Sequence, residues 1–185
     1  DFLYSDDEKA MMLRDAEMLS SMGVNAVVCG ALLADGSIDT DFCRALADVC
    51  RGTELTFHRA FDVCRDPLQA MEQLIELGFT RILTSGQAAS ALDGTDLLRR
   101  LVEQSRGRIT ILAGGGVNPQ NAAMIISRSG VSELHASART QVKSLMQYRV
   151  DGVSMGAPES DEYIRATTSA AVVRDIVNAM KTVKI

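Results

Sequence analysis

Tryptophan is absent, and only five phenylalanines and three tyrosines occur in 185 residues. Aliphatic side chains must therefore build the core. No apolar run approaches the ~20 residues that span a bilayer, so no membrane partner is expected. The opening Asp1-Phe2-Leu3-Tyr4 carries neither the basic stretch nor the apolar core of a secretory signal. Cys29, Cys43, Cys50 and Cys64 form no CxxC pair and no cysteine–histidine cluster, so a zinc site is not indicated. Unpaired in this way, they suit a reduced, cytosolic protein. Basic residues are not concentrated either. The densest group, Arg99, Arg100, Arg106 and Arg108, fits the solvated face of a helix, and the net charge is −5. No nucleic-acid partner is expected.

What is present is an ordinary globular composition, 46% hydrophobic and 23% charged, sufficient for one domain. Ser5 to Glu8 fits a capping box, followed by apolar residues near a 3.6-residue period. Short apolar runs then alternate with helical segments. The strands are expected at Ala26–Cys29, Leu55–His58, Arg81–Thr84, Ile109–Ala113 and Glu133–Ala136. Helices are expected from about Asp41 to Cys50, Leu68 to Leu77, Asp96 to Ser105 behind Thr95, and from Asn118-Pro119 to Gly130. The stretch from Ser137 to Asp161 reads as irregular, ahead of a last helix at about 168–180. Strand–helix alternation predicts an α/β fold with a parallel sheet. Five strands allow an open doubly wound sheet or part of a TIM-type (β/α) barrel.

Both architectures gather ligands at the carboxyl ends of the strands, and the polar residues recur there. The second strand delivers His58, Arg59 and Asp62. The third delivers Ser85 and Gly86, the fourth Gly114, Gly115 and Gly116, and the fifth His135, Ser137 and Arg139. His58, Asp62 and His135 are the candidate acid–base groups. Arg59, Ser85, Gly86, Ser137, Arg139 and the glycine run are the candidate anion binders. The glycines match neither a P-loop nor the dinucleotide GxGxxG spacing. Cys43 and Cys50 share a helix face that suits core packing. Cys29 at a strand end and Cys64 after Asp62 are the candidate metal ligands, since soft thiolates suit Cu(I).

The string TFHRAFD at residues 56–62 resembles a hallmark of the CutC family of copper homeostasis proteins. LTSG at 83–86, GGG at 114–116 and LHASAR at 134–139 follow in matching order, and the opening DFLYSD resembles the segment after that family's third strand. The resemblance implies an incomplete TIM-type barrel, a single partial domain over 1–185 that lacks the first three strands. It implies cytosolic copper handling with Cu(I) as the metal, a cytoplasmic and also nuclear location, and a homo-oligomer. It also implies that the cysteines usually proposed as Cu(I) ligands lie outside this chain. A second reading is an enzyme on a small phosphorylated or carboxylated anionic ligand. A third is a truncated, non-catalytic isoform with two open strand edges that self-associates or is poorly stable.

Overall fold

The structure is a computed structural model that describes residues 1–150, 152–153 and 161–183. It opens with α1 (Asp6–Ser21), started by the expected capping box: Ser5 accepts from the Glu8 N–H, and Glu8 accepts from the Ser5 N–H at 2.7 Å. Four strand–helix units follow. They are β1 (Ala26–Cys29) with α2 (Thr40–Val49), β2 (Glu54–Phe57) with α3 (Pro67–Glu76), β3 (Arg81–Thr84) with α4 (Thr95–Ser105), and β4 (Thr110–Gly114) with α5 (Ala122–Ser129). β5 (Glu133–His135) completes a five-stranded parallel sheet in the order β1-β2-β3-β4-β5. Strands pairing in sequence order with helices between them are consecutive units of a TIM-type barrel, here not closed. An open doubly wound sheet would reverse its strand order partway, and this one does not.

The helix starts differ from the sequence reading in three places. Asp39 caps α2, taking the Phe42 N–H at 3.0 Å, and its carboxylate also pairs with Lys9 at 2.6 Å, tying α1 to α2. α4 has Gly94 at its N-cap rather than Thr95, whose hydroxyl bonds the Leu92 carbonyl instead. Asn118-Pro119 forms a turn, and α5 begins only after Asn121. Local side-chain hydrogen bonding favours a turn as readily as a helix start at such residues.

Residues 139–168 hold the largest difference. The expected irregular stretch contains β6 (Arg139–Lys143), which pairs antiparallel with β7 (Ile164–Thr168). All ten ribbon residues are exposed. No buried face imposed alternation on them, so the period-2 signal was missing. Part of that stretch, residue 151 and residues 154–160, lies outside the described residues. α6 (Ala170–Lys181) ends the described chain and packs on α5.

The core lies between sheet and helices, where Phe57, Phe61, Leu46, Met71 and Leu74 are fully buried. Each such side chain contributes roughly 1.5–3 kcal/mol. The other sheet face is polar at its amino end. Arg81 donates to Glu133 at 2.6 and 3.2 Å and to Glu54 at 3.3 Å, crossing from β3 to both neighbouring sides. At the outer strand of this face Val28 stays 58% exposed, since nothing among the described residues covers it.

Candidate functional site

The loops after β2, β3 and β4 meet at the carboxyl ends of the strands, and Asp62 joins them. It sits in a 3-10 turn (Arg59–Val63), with only 7% of its side chain exposed. It accepts from the Arg59 Nε, from the Thr84 hydroxyl at 2.5 Å, from the Ser85 N–H at 2.9 and 3.1 Å and from the Gln87 N–H at 3.2 Å. Its oxygens are thereby occupied, so Asp62 positions its neighbours rather than moving a proton. Gln87 locks the same corner, donating to the Phe61 and Cys64 carbonyls at 3.3 and 2.7 Å. Thr84 and Gln87 escaped the sequence reading, although Thr84 stands inside the LTSG string.

Arg59 is held at two further points. Its Nη2 donates to the Ser85 Oγ at 3.1 Å, and Ser85 in turn donates to the Ala88 carbonyl at 2.7 Å. A Cβ on Gly115 would come within 3.3 Å of Nη1 and 3.1 Å of the Ser85 Cβ. Glycine thus lets the β4 loop lie directly against the guanidinium. Gly115 and Gly116 also have φ of +116° and +71°, which side-chain-bearing residues rarely adopt.

The carbonyls of this loop are committed. Gly115 C=O accepts from the Ala91 N–H at 2.8 Å, and Gly116 C=O accepts from the Asn118 and Asn121 amides at 3.1 and 2.9 Å. In a trans peptide the next N–H points opposite to the carbonyl. The N–H groups of Gly116 and Val117 are therefore turned the other way, and no described hydrogen bond uses them. Free backbone N–H groups of this kind favour anions.

His58 ends β2 on the open face of the sheet, two residues beyond Thr56, which lies level with Arg81. Its ring rests against Phe2, with centroids 4.9 Å apart. Burial pushes its pKa below the ordinary 6.5. Its Nδ1 accepts from the Ala60 N–H at 3.2 Å. Gly114 and His135 are paired on the same face, and a Cβ on Gly114 would meet the Leu83 Cδ1 at 2.5 Å and the His135 Cβ at 3.2 Å. Ser85 and Gly86 are buried at the mouth as supports. His135, Ser137 and Arg139 are exposed, and no described hydrogen bond or ion pair ties their side chains to Arg59 or the glycine loop.

All four thiols are buried, and Cys64 lies at the Asp62 corner, its Sγ 3.6 Å from the Gln87 amide. Cys29 is buried on the helix side, level with Phe57 and near Cys43 and Cys50 rather than at the mouth. Burial pushes Cys43 and Cys64 up to about 12 and raises Cys29 and Cys50. Among the described residues no three His, Cys, Asp or Glu side chains are grouped to hold a metal ion, and no helix is long and apolar enough to cross a membrane.

Acid should weaken the fold in two separate windows. The unfolded chain protonates His58 before the folded one does, so this contribution is complete above about 6.5 and lost below it. Glu72, held at about 2 by Arg108 at 2.7 and 2.8 Å and by Gln104 at 3.0 Å, contributes above its ordinary 4.5 and is lost as pH falls toward 2. In urea melts across pH, His58→Asn should remove the first decline and Glu72→Gln the second. Declines unchanged in both variants would assign the acid sensitivity to other groups.

The CutC family model matches residues 1–140. A CutC family protein of Bacteroides thetaiotaomicron is 50% identical over 182 residues, covering 98% of this chain and 73% of its own length. The copper homeostasis protein cutC homolog of Homo sapiens is 45% identical over 177 residues, covering 95% of this chain and 65% of its own length. A solved CutC structure from Streptococcus agalactiae superposes with a TM-score of 0.70 at 34% identity, over 73% of this chain and 66% of the other. With the family model spanning most of the chain, and strand ends carrying the strings noted in the sequence, this chain belongs to the CutC family.

Proposed function

We propose that this chain serves copper homeostasis and that its own ligand site, at the strand ends, takes a small molecule bearing an oxyanion. The observation that carries this is the donor set: Arg59 is fixed against Gly115, and the loop carbonyls are already taken by Ala91, Asn118 and Asn121. A site rich in fixed N–H donors stabilises negative charge. In this reading the five strands are the last five of an eight-stranded barrel, as the order of the matching strings suggests.

The second reading is Cu(I) binding and cytosolic or nuclear copper handling by a homo-oligomer, and its support is that the human relative is a copper homeostasis protein cutC homolog. Thiolates are the Cu(I) ligands, and the four buried thiols with raised pKa values resist forming them. Metal entry there would require local opening.

One set of titrations separates the two. Inorganic phosphate should bind the chain, with affinity falling at least about tenfold in Arg59→Met and unchanged when all four cysteines become serine. Sedimentation of the same samples reads self-association. No phosphate binding at millimolar levels, together with tight anaerobic Cu(I) uptake that the serine copy lacks, would reverse the order of the readings.

A further inference from the structure

The oxyanion reading leaves His58 unused, although it stands beside Arg59 with one edge tied to the backbone. Nδ1 accepts the Ala60 N–H, so in the neutral ring the proton resides on Nε2. The packing holds this orientation. A Cβ on Gly30 would come within 3.0 Å of Nδ1 and of the Phe57 ring, so the chain packs tightly against the imidazole there. Phe2 covers one side of the imidazole at 4.9 Å, and Phe57 meets it edge-on at 6.0 Å. Turning the ring over would strand the Ala60 N–H without a partner. Desolvation favours the neutral form as well. No described hydrogen bond accepts from Nε2.

Among the described residues, the strand-end groups left without an acceptor are then donors: Arg59 Nη1, the Gly116 and Val117 N–H groups and the Nε2–H of His58, the residue next to Arg59 in the chain. Asp62, the carboxylate bonded to Arg59, already has its oxygens filled by Arg59, Thr84, Ser85 and Gln87. A ligand must supply acceptors only. Its anionic end suits the guanidinium and the free loop N–H groups. A neutral imidazole donor suits an uncharged acceptor, such as a carbonyl oxygen, more than a second full charge.

Resting on the oxyanion reading, we propose that the ligand is a small phosphorylated or carboxylated carbonyl compound, with its oxyanion on Arg59 and the glycine loop and its carbonyl oxygen accepting from the Nε2–H of His58. His58 is thereby a ligand-polarising donor and not a general base, because its only lone pair is spent on Ala60.

Two measurements test this. Nitrogen-15 NMR of the imidazoles, assigned with a His135→Gln variant, should find His58 as the Nε2–H tautomer at pH 7.5. Binding should then be compared for dihydroxyacetone phosphate against methyl phosphate, and for pyruvate against acetate. The carbonyl compound of the recognised oxyanion type should bind about tenfold more tightly than its partner, a single hydrogen bond's worth. In His58→Asn, whose amide oxygen can still take the Ala60 N–H, that ratio should fall to near one. The pair with the measurable affinities tells phosphate from carboxylate. Equal affinity within both pairs in the parent chain, or an Nδ1–H tautomer, overturns the inference while leaving the oxyanion reading in place. Binding of none of the four probes ends both.

Discussion

Replacing Asp62 by alanine is expected to cost about 4 kcal/mol of folding stability and to abolish oxyanion binding. The side chain is 7% exposed and receives the Ser85 and Gln87 N–H groups, the Thr84 hydroxyl and the Arg59 Nε. Alanine leaves these donors without a partner, and each buried donor so orphaned costs about 1–3 kcal/mol. The loss is not a simple sum, because the donors share one network. Arg59 contributes least to the stability term, since its head is 44% exposed and can turn to water. Arg59→Met should therefore cost only about 1 kcal/mol while still removing the anion site. Urea denaturation of both variants checks the difference. A loss below about 1 kcal/mol for Asp62→Ala would mean that water replaces the carboxylate and that the corner holds together without it.

The second large effect is expected at Gly94. A Cβ there would stand 1.9 Å from the Ser85 carbonyl oxygen, and one on Gly86 would stand 2.4 Å from the Gly94 oxygen. The two glycines lie back to back, closing the loop between β3 and α4. Gly94 has an ordinary φ of −89°, so the penalty for Gly94→Ala is purely steric. Backbone atoms must separate, at about 3 kcal/mol, the upper end of overpacking costs, and Ser85 must leave Arg59. Gly107→Ala is the control. Its φ is +75° and no atom lies within 4 Å of the added methyl, so it should cost about 1 kcal/mol through backbone conformation alone. Thermal melts giving equal losses would show that the loop yields without strain. A larger loss at Gly94, with weaker phosphate binding, would tie the tight loop to the mouth.

The elements readable in advance were those specified by neighbours along the chain. Ser5 with Glu8 and Asp66 with Pro67 mark helix starts through bonds spanning three residues, and both are present. Ala26–Cys29 and Arg81–Thr84 are strands with the expected bounds. The site was legible in outline only. Arg59, Asp62, Ser85 and Gly115 lie against one another, because strand ends of a parallel sheet share one rim. Nothing in the spacing distinguished Asp62, filled by four donors, from a free acid–base group, or told which nitrogen of His58 carries the proton. Nor did it tell that Cys29 faces the helices, since a four-residue strand can present either alternate set to the core.

By itself the sequence determined the order of the five sheet strands and their helices, the parallel sheet and the family, all encoded in short-range pattern and contiguous strings. The tertiary structure alone decided what those residues can do. It pairs β6 with β7 across more than twenty residues without a buried face to announce it. It buries all four thiols and brings Gly115 beside Arg59 from a different strand. The physical reason is that capping and periodicity act over one turn of chain, whereas hydrogen-bond satisfaction and burial are set by neighbours that only folding brings together.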